Sequence, residues 1–273
     1  MSASHTGTKN TQSMSPELDA RSLDLRSKMV RTMASGKRGH LGSAFSLVEI
    51  LRVLYDDVLR YDAKNPKWPE RDRCILSKGH GCIALYVFLA EKGFFPASEL
   101  NKFCLSDGIL GGHPDHKVPG VEASTGSLGH GLPIGMGMAF NSRYEGTDSR
   151  TFVIIGDGES NEGSIWEGAM AAAHFHLNNL IVIVDRNRYQ QTGSNIDIMD
   201  SGNLRQKWEG FGWDSIEVDG HNVGDVFRLL SDNTSSKKPF ALIANTVKGK
   251  GVSFLENNNE WHHAVLTQKL YDS

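Results

Sequence analysis

The chain has 273 residues, a hydrophobic share of 39%, a charged share of 22% and a formal net charge of −3. It is long enough for one large domain with a sizeable core, and with neither a basic balance nor a Lys/Arg block it gives no reason to expect nucleic acid. No apolar run reaches membrane-spanning length and no charged-then-apolar leader opens the chain, so the expected location is cytoplasmic.

Taken in chain order, residues 1–14 are polar and aperiodic and read as a flexible tail, leaving 15–273 as a single domain. A helix is expected from Ser15, with Pro16 in its first turn and Glu17 near its positive end, running to Gly36. Ser46 and Glu49 have the spacing of a capping box, which predicts a second helix through Leu59. Strands are predicted at 73–77, 151–156, 180–185, 213–218 and 239–246, with helices at 81–92, 133–144, 163–177, 203–210 and 222–231. The strands after residue 150 are almost wholly apolar, as parallel strands covered on both faces must be. The alternation implies a layered α/β domain with a mainly parallel sheet. Ile165, Ala169, Ala172 and Ala173 recur at helical spacing and read as packing. The cysteines Cys74, Cys82 and Cys104 lack metal-site spacing and leave an odd one over, which suits a reducing compartment.

The chemistry is foreshadowed by 29 glycines and 11 histidines, many in pairs such as Gly39-His40, Gly79-His80 and Gly112-His113. Glycine admits a ligand close to the backbone and histidine exchanges protons near neutral pH. In parallel α/β sheets ligands bind beyond the carboxyl ends of the strands. Gly156-Asp157-Gly158 and Asp185-Arg186-Asn187 both fall at that edge. Asp157 and Asn187 could hold a hard divalent cation whose shell is completed by phosphate oxygens, or could simply shape two turns.

Five ordered blocks then carry a resemblance: GHLGSAFS (39–46), LSKGHG (76–81), GGHPD (111–115), STGSLGHG (124–131) and GDGESNEG (156–163). From about residue 18 onward the chain resembles the first third of transketolases. The resemblance implies a three-layer α/β/α thiamine-diphosphate-binding fold, with Asp157, Asn187 and the carbonyl of Tyr189 on Mg²⁺ or Ca²⁺. It assigns His80, Gly126, Leu128, Gly158 and Glu159 to the cofactor, and His40 and His113 to the reacting end of the sugar, as bases near neutrality. His262 or His263 provides a further histidine, the alignment favouring His262. Glu162 and Glu167 resemble carboxylates at an interface between subunits. His130 replaces a common amide and its role is open; His174 and His176 read as structural, and His221 as the residue before an Asn222 N-cap.

The glutamate that activates the thiamine ring in this family belongs to a pyrimidine-binding domain with no counterpart here. The expectation is therefore the N-terminal subunit of a split transketolase, forming α2β2 with a separate C-terminal subunit. The alternatives are the α-type subunit of a 2-oxo-acid dehydrogenase, an acyloin-type enzyme or a deoxyxylulose-phosphate-synthase-like protein, and a non-catalytic subunit.

Overall fold

In a computed structural model, residues 18–231 and 237–272 are described; the expected tail at 1–14 and the helix start at Ser15 lie outside them. Apolar strands that need cover on both faces form, among the described residues, one wholly parallel five-stranded sheet. It comprises β2 (Arg73–Leu76), β3 (Thr151–Gly156), β4 (Leu180–Arg186), β5 (Asp214–Asp219) and β6 (Phe240–Asn245), in the order β2-β3-β4-β6-β5. Side chains alternate between two cores. Phe152, Ile154, Ile183 and Leu242 face one helical layer, and Val153, Ile155, Val182 and Ile243 face the other. The result is the three-layer α/β/α arrangement.

The first layer holds α1 (Ala20–Gly36), α2 (Leu41–Phe45), α3 (Val48–Val53), α4 (Cys82–Glu91) and α9 (Val223–Ser231). The second holds α5 (Gly131–Tyr144), α6 (Gly163–His174) and α8 (Leu204–Gly210), while α7 (Asn195–Ile198) is a single turn beside the sheet edge. Ile165, Ala169 and Ala172 are fully buried in this second core, so that stripe is packing. A two-residue ladder, β1 (Arg38–Gly39) with β7 (Ala264–Val265), ties the C-terminal segment to the first layer, before the final α10 (Gln268–Asp272).

Two expectations need correction. The first helix begins at Ala20, because Asp19 caps it by accepting from Ser22 N–H at 2.9 Å. Ser46 and Glu49 form no capping box. The segment instead starts its helix at Val48, as α3, and continues into a π turn over Leu54–Val58. Ser46 Oγ instead donates to Asp185 at 2.6 Å, and Glu49 pairs with Arg26 at 2.7 Å. Long-range partners outweigh the local motif, because a buried carboxylate needs a cation more than a helix needs a cap.

Candidate active site

The parallel register sets Gly156 beside Asp185, so the turns after β3 and β4 leave the sheet side by side. Asp157 fastens them together, accepting from Gly158 N–H at 3.0 Å and from Arg188 N–H at 2.7 Å. Burial and then the neighbouring Asp185 push its carboxyl up to about 6. Asn187 Oδ1 accepts from Tyr189 N–H at 3.1 Å. Both residues therefore shape turns while keeping unused oxygen lone pairs. No group of three or more His, Cys, Asp or Glu positioned to hold a metal occurs among the described residues. A cation here would thus rest on one carboxylate and neutral oxygens, a donor set that suits Mg²⁺ completed by phosphate.

Beneath these turns lies a buried polar cluster that the sequence did not reveal. Asp185 accepts from Ser46 Oγ, Thr246 Oγ1, Asn187 Nδ2 and the ammonium of Lys78, itself only 1% exposed. A second buried lysine, Lys248, donates to Asn259 Oδ1 at 3.0 Å and stands 3.1 Å from His262 Nδ1. Burial, then Lys78, pulls Lys248 down to about 8. The signal for Lys78 was available in LSKGHG, where a lysine follows an apolar strand at the ligand edge. Lys248 sits in the irregular TVKGKG loop, with no comparable cue.

A cavity of about 490 Å³ opens over this edge. Its floor is Asp157, Gly158, Asn187 and Tyr189; one wall is Gly126 and Leu128, and the other is His40, His80, His113 and His262. Every residue that the resemblance assigns to the metal, the cofactor or the sugar lines this one cavity, Glu159 included. Glu159 is turned to protein donors: its carboxylate accepts from Ser77 Oγ, from Gly129 N–H at 2.9 Å and from Gly156 N–H at 3.1 Å. It therefore clasps the loop carrying Gly126 and Leu128 to the GDG turn. Gly126, at φ 147°, presses on His113, whose ring carbon would sit 3.2 Å from an added Cβ.

The histidines crowd around His40, whose ring centroid lies 5.3 Å from His80, 6.2 Å from His113 and 5.5 Å from His262. Burial, reinforced by the neighbouring histidines, lowers His40 to about 3. Burial likewise lowers His113, takes His80 well down, and with Lys248 brings His262 to about 4. The expectation of bases near neutrality is thus corrected: in this chain these rings are neutral, each offering one donor and one acceptor nitrogen. His262 lines the large cavity, whereas His263 lines an adjoining one. Glu162 lines the large cavity; Glu167 is exposed on α6. His130 lies outside the cavity lining, its Nδ1 within 3.1 Å of the Leu128 carbonyl oxygen. Asn222 accepts from Asp225 N–H as an N-cap should, but His221 does more than precede it: it is buried and its Nδ1 meets Glu49 at 2.7 Å.

The residues present fit a diphosphate-bearing cofactor with its cation. The buried amide Nε2 of Gln190 has no protein partner and lies beside Gly158, where an added Cβ would strike the Gln190 side chain at 2.8 Å. An unpartnered donor and a close-approach glycine lie beside Asp157, next to the buried Lys78–Asp185 pair and Lys248. This defines a cofactor-dependent enzyme site of the parallel α/β class.

The chain belongs to the transketolase family: the family description "Transketolase, thiamine diphosphate binding domain" matches residues 22–271. It is 42% identical over 256 residues to a protein of Phocaeicola vulgatus named as one subunit of an apulose-4-phosphate transketolase, covering 93% of this chain and 91% of that one. It is 40% identical over 235 residues to the 6-deoxy-6-sulfo-D-fructose transketolase subunit SqwG of a Clostridium strain, covering 85% and 86%. Mouse transketolase is 36% identical over 252 residues, but this chain spans only 39% of it. Among solved structures, transketolase from Leishmania mexicana superposes with a TM-score of 0.86 at 29% identity, covering 92% of this chain and 39% of that one. The chain thus corresponds to about two fifths of these longer transketolases and to nearly all of the relatives named as subunits.

Proposed function

We propose that this chain is the N-terminal subunit of a two-subunit, thiamine-diphosphate-dependent transketolase, moving a two-carbon ketol group from a ketose to an aldose. The observation that carries this reading is the convergence, in one cavity, of the Asp157–Asn187 turn pair with His40 and His113. Asp157, Asn187 and the Tyr189 carbonyl would hold Mg²⁺ (or Ca²⁺). His80, Gly158 and Lys248 would receive the diphosphate, and Gly126 and Leu128 the rings. Thiamine diphosphate, when bound, supplies the electron sink for carbon–carbon cleavage. His40 and His113, held neutral, can accept the proton of a ketose hydroxyl and return it to the acceptor's oxygen. His262, between Lys248 and His40, would orient both.

The partner in this reading is a C-terminal subunit with the pyrimidine-binding domain and the activating glutamate, assembled with this chain as α2β2. This reading is supported by the relatives named as subunits, which this chain spans almost whole, whereas it spans about two fifths of the longer transketolases. Apolar side chains exposed on α5 and α6, among them Ile134, Phe140, Tyr144 and Met170, offer the partner a surface. We place the protein in the cytoplasm, where its three free thiols stay reduced.

The test is donor choice in the reconstituted pair. Ketose donors such as xylulose 5-phosphate should support transfer to ribose 5-phosphate, and His113→Ala should abolish it. Turnover of a 2-oxo acid with no ketose activity would favour an α-type dehydrogenase or synthase subunit. Full activity in His113→Ala would remove that histidine from the chemistry.

A further inference from the structure

A second cavity of about 230 Å³ adjoins the first and shares His40, His80 and His113 as walls. Its chemistry differs. The large cavity contains Asp157, Glu159 and Glu162, whereas the lining of the small one includes no carboxylate. Its remaining wall brings together Arg38, Cys104 and His263. Arg38 is exposed at the rim and forms no ion pair among the described residues; its charge stands close enough to Cys104 to oppose the burial that raises that thiol. Its place is fixed by the β1–β7 ladder, which sets Arg38 opposite Val265, two residues from His263. Because burial lowers His40, His80 and His113, Arg38 is the permanent positive charge of this cavity. A guanidinium with no carboxylate partner, at the end of a cavity that begins at the reacting histidines, is arranged for a tetrahedral oxyanion.

We propose that this cavity receives the far end of the sugar substrate, where Arg38, assisted by His263, binds a terminal phosphate or sulfonate. The proposal rests on the ketol-transfer reading above and assigns this chain a share in substrate selection alongside its partner. A ligand with its carbonyl end at His40 and His113 extends along the shared wall and places its terminal anion at Arg38.

The experiment uses the complex with the C-terminal partner, comparing Arg38→Gln and Arg38→Lys with the unaltered protein. Three ketose donors are compared: one phosphate-terminated, one sulfonate-terminated and one neutral. The readout is kcat/KM for each anionic donor divided by that for the neutral one. Arg38→Gln should lower this ratio roughly tenfold or more, chiefly through KM, the size expected for a lost charged hydrogen bond. Arg38→Lys should restore part of it. A fall confined to one anion identifies the terminal group the site is built for. A ratio unchanged for both anions, whether the rates fall together or stay put, overturns the proposal. If the complex transfers no ketol from any donor, the functional reading fails, and calorimetry with ribose 5-phosphate still decides the site. Binding lost in Arg38→Gln supports it; binding equal in both proteins, or absent from both, overturns it.

Discussion

Replacing Glu49 by Gln would test the buried ionic network that supports the site. Glu49 accepts from Arg26 at both oxygens, at 2.7 and 3.0 Å, and meets His221 Nδ1 at 2.7 Å. Burial alone would raise its carboxyl, but His221 and Arg26 outweigh burial and hold it at about 2 instead of the ordinary 4.5. A depressed carboxylate stabilises the fold above its unfolded pKa, and that contribution is lost as pH falls from about 4.5 toward 2. A shift of that size corresponds to about 3 kcal/mol, the lower end of the ~3–5 kcal/mol lost when a buried ion pair is broken. Urea unfolding should therefore find Glu49→Gln less stable by about 3 kcal/mol at pH 7, with the gap narrowing by about 2 kcal/mol at pH 3. His221 also accepts from Val247 N–H at 2.9 Å, so the loop carrying Thr246 and Lys248 should loosen and cofactor affinity fall with it. Equal stability at pH 7, or a gap that does not change with pH, would refute the reasoning.

Other substitutions probe the site itself. Asp157→Asn should abolish Mg²⁺-dependent binding of thiamine diphosphate by calorimetry. Because the Asp157 carboxyl is raised to about 6, the folded state holds a proton the unfolded state releases, and the ion-free protein should lose stability as pH rises from about 4 to 6. Asp157→Asn should flatten that limb by roughly 2 kcal/mol, measured by unfolding at pH 4 and 7.5. Glu159→Ala strands three buried donors and should cost about 3 kcal/mol or more in chemical unfolding; a loss below about 1 kcal/mol would show that the clasp is dispensable. Lys248, lowered to about 8, loses its charge as pH rises through that value, so cofactor affinity should decline above pH 8. Lys248→Met should bind more weakly throughout and without that decline.

How much of this was legible in the sequence depended on whether the cause was local. The apolar runs of β3, β4 and β6 are long enough to read as buried strands, and their ends fix where Asp157 and Asn187 emerge. Glycine–histidine blocks mark loops that the topology gathers into one cavity. What failed was decided at a distance. Ser46 and Glu49 have capping-box spacing, yet their partners Asp185 and His221 lie 139 and 172 residues away. His221 read as a turn residue because its role comes from α3, across the first helical layer. The histidine pKa values could not be read either, since mutual crowding and burial exist only in the folded chain. Gln190 and Asn195 have buried polar atoms without protein partners at the site, visible only in three dimensions.

The central claim is that this chain carries the metal, diphosphate and sugar-facing half of a thiamine site that a partner completes. The most direct measurement is ketol transfer from xylulose 5-phosphate to ribose 5-phosphate, with thiamine diphosphate and Mg²⁺, using this chain by itself and then mixed with the C-terminal partner. Activity in the mixture and none from either component on its own is the predicted result. Transfer catalysed by this chain by itself would contradict it, because the activating carboxylate would then have to lie within these 273 residues.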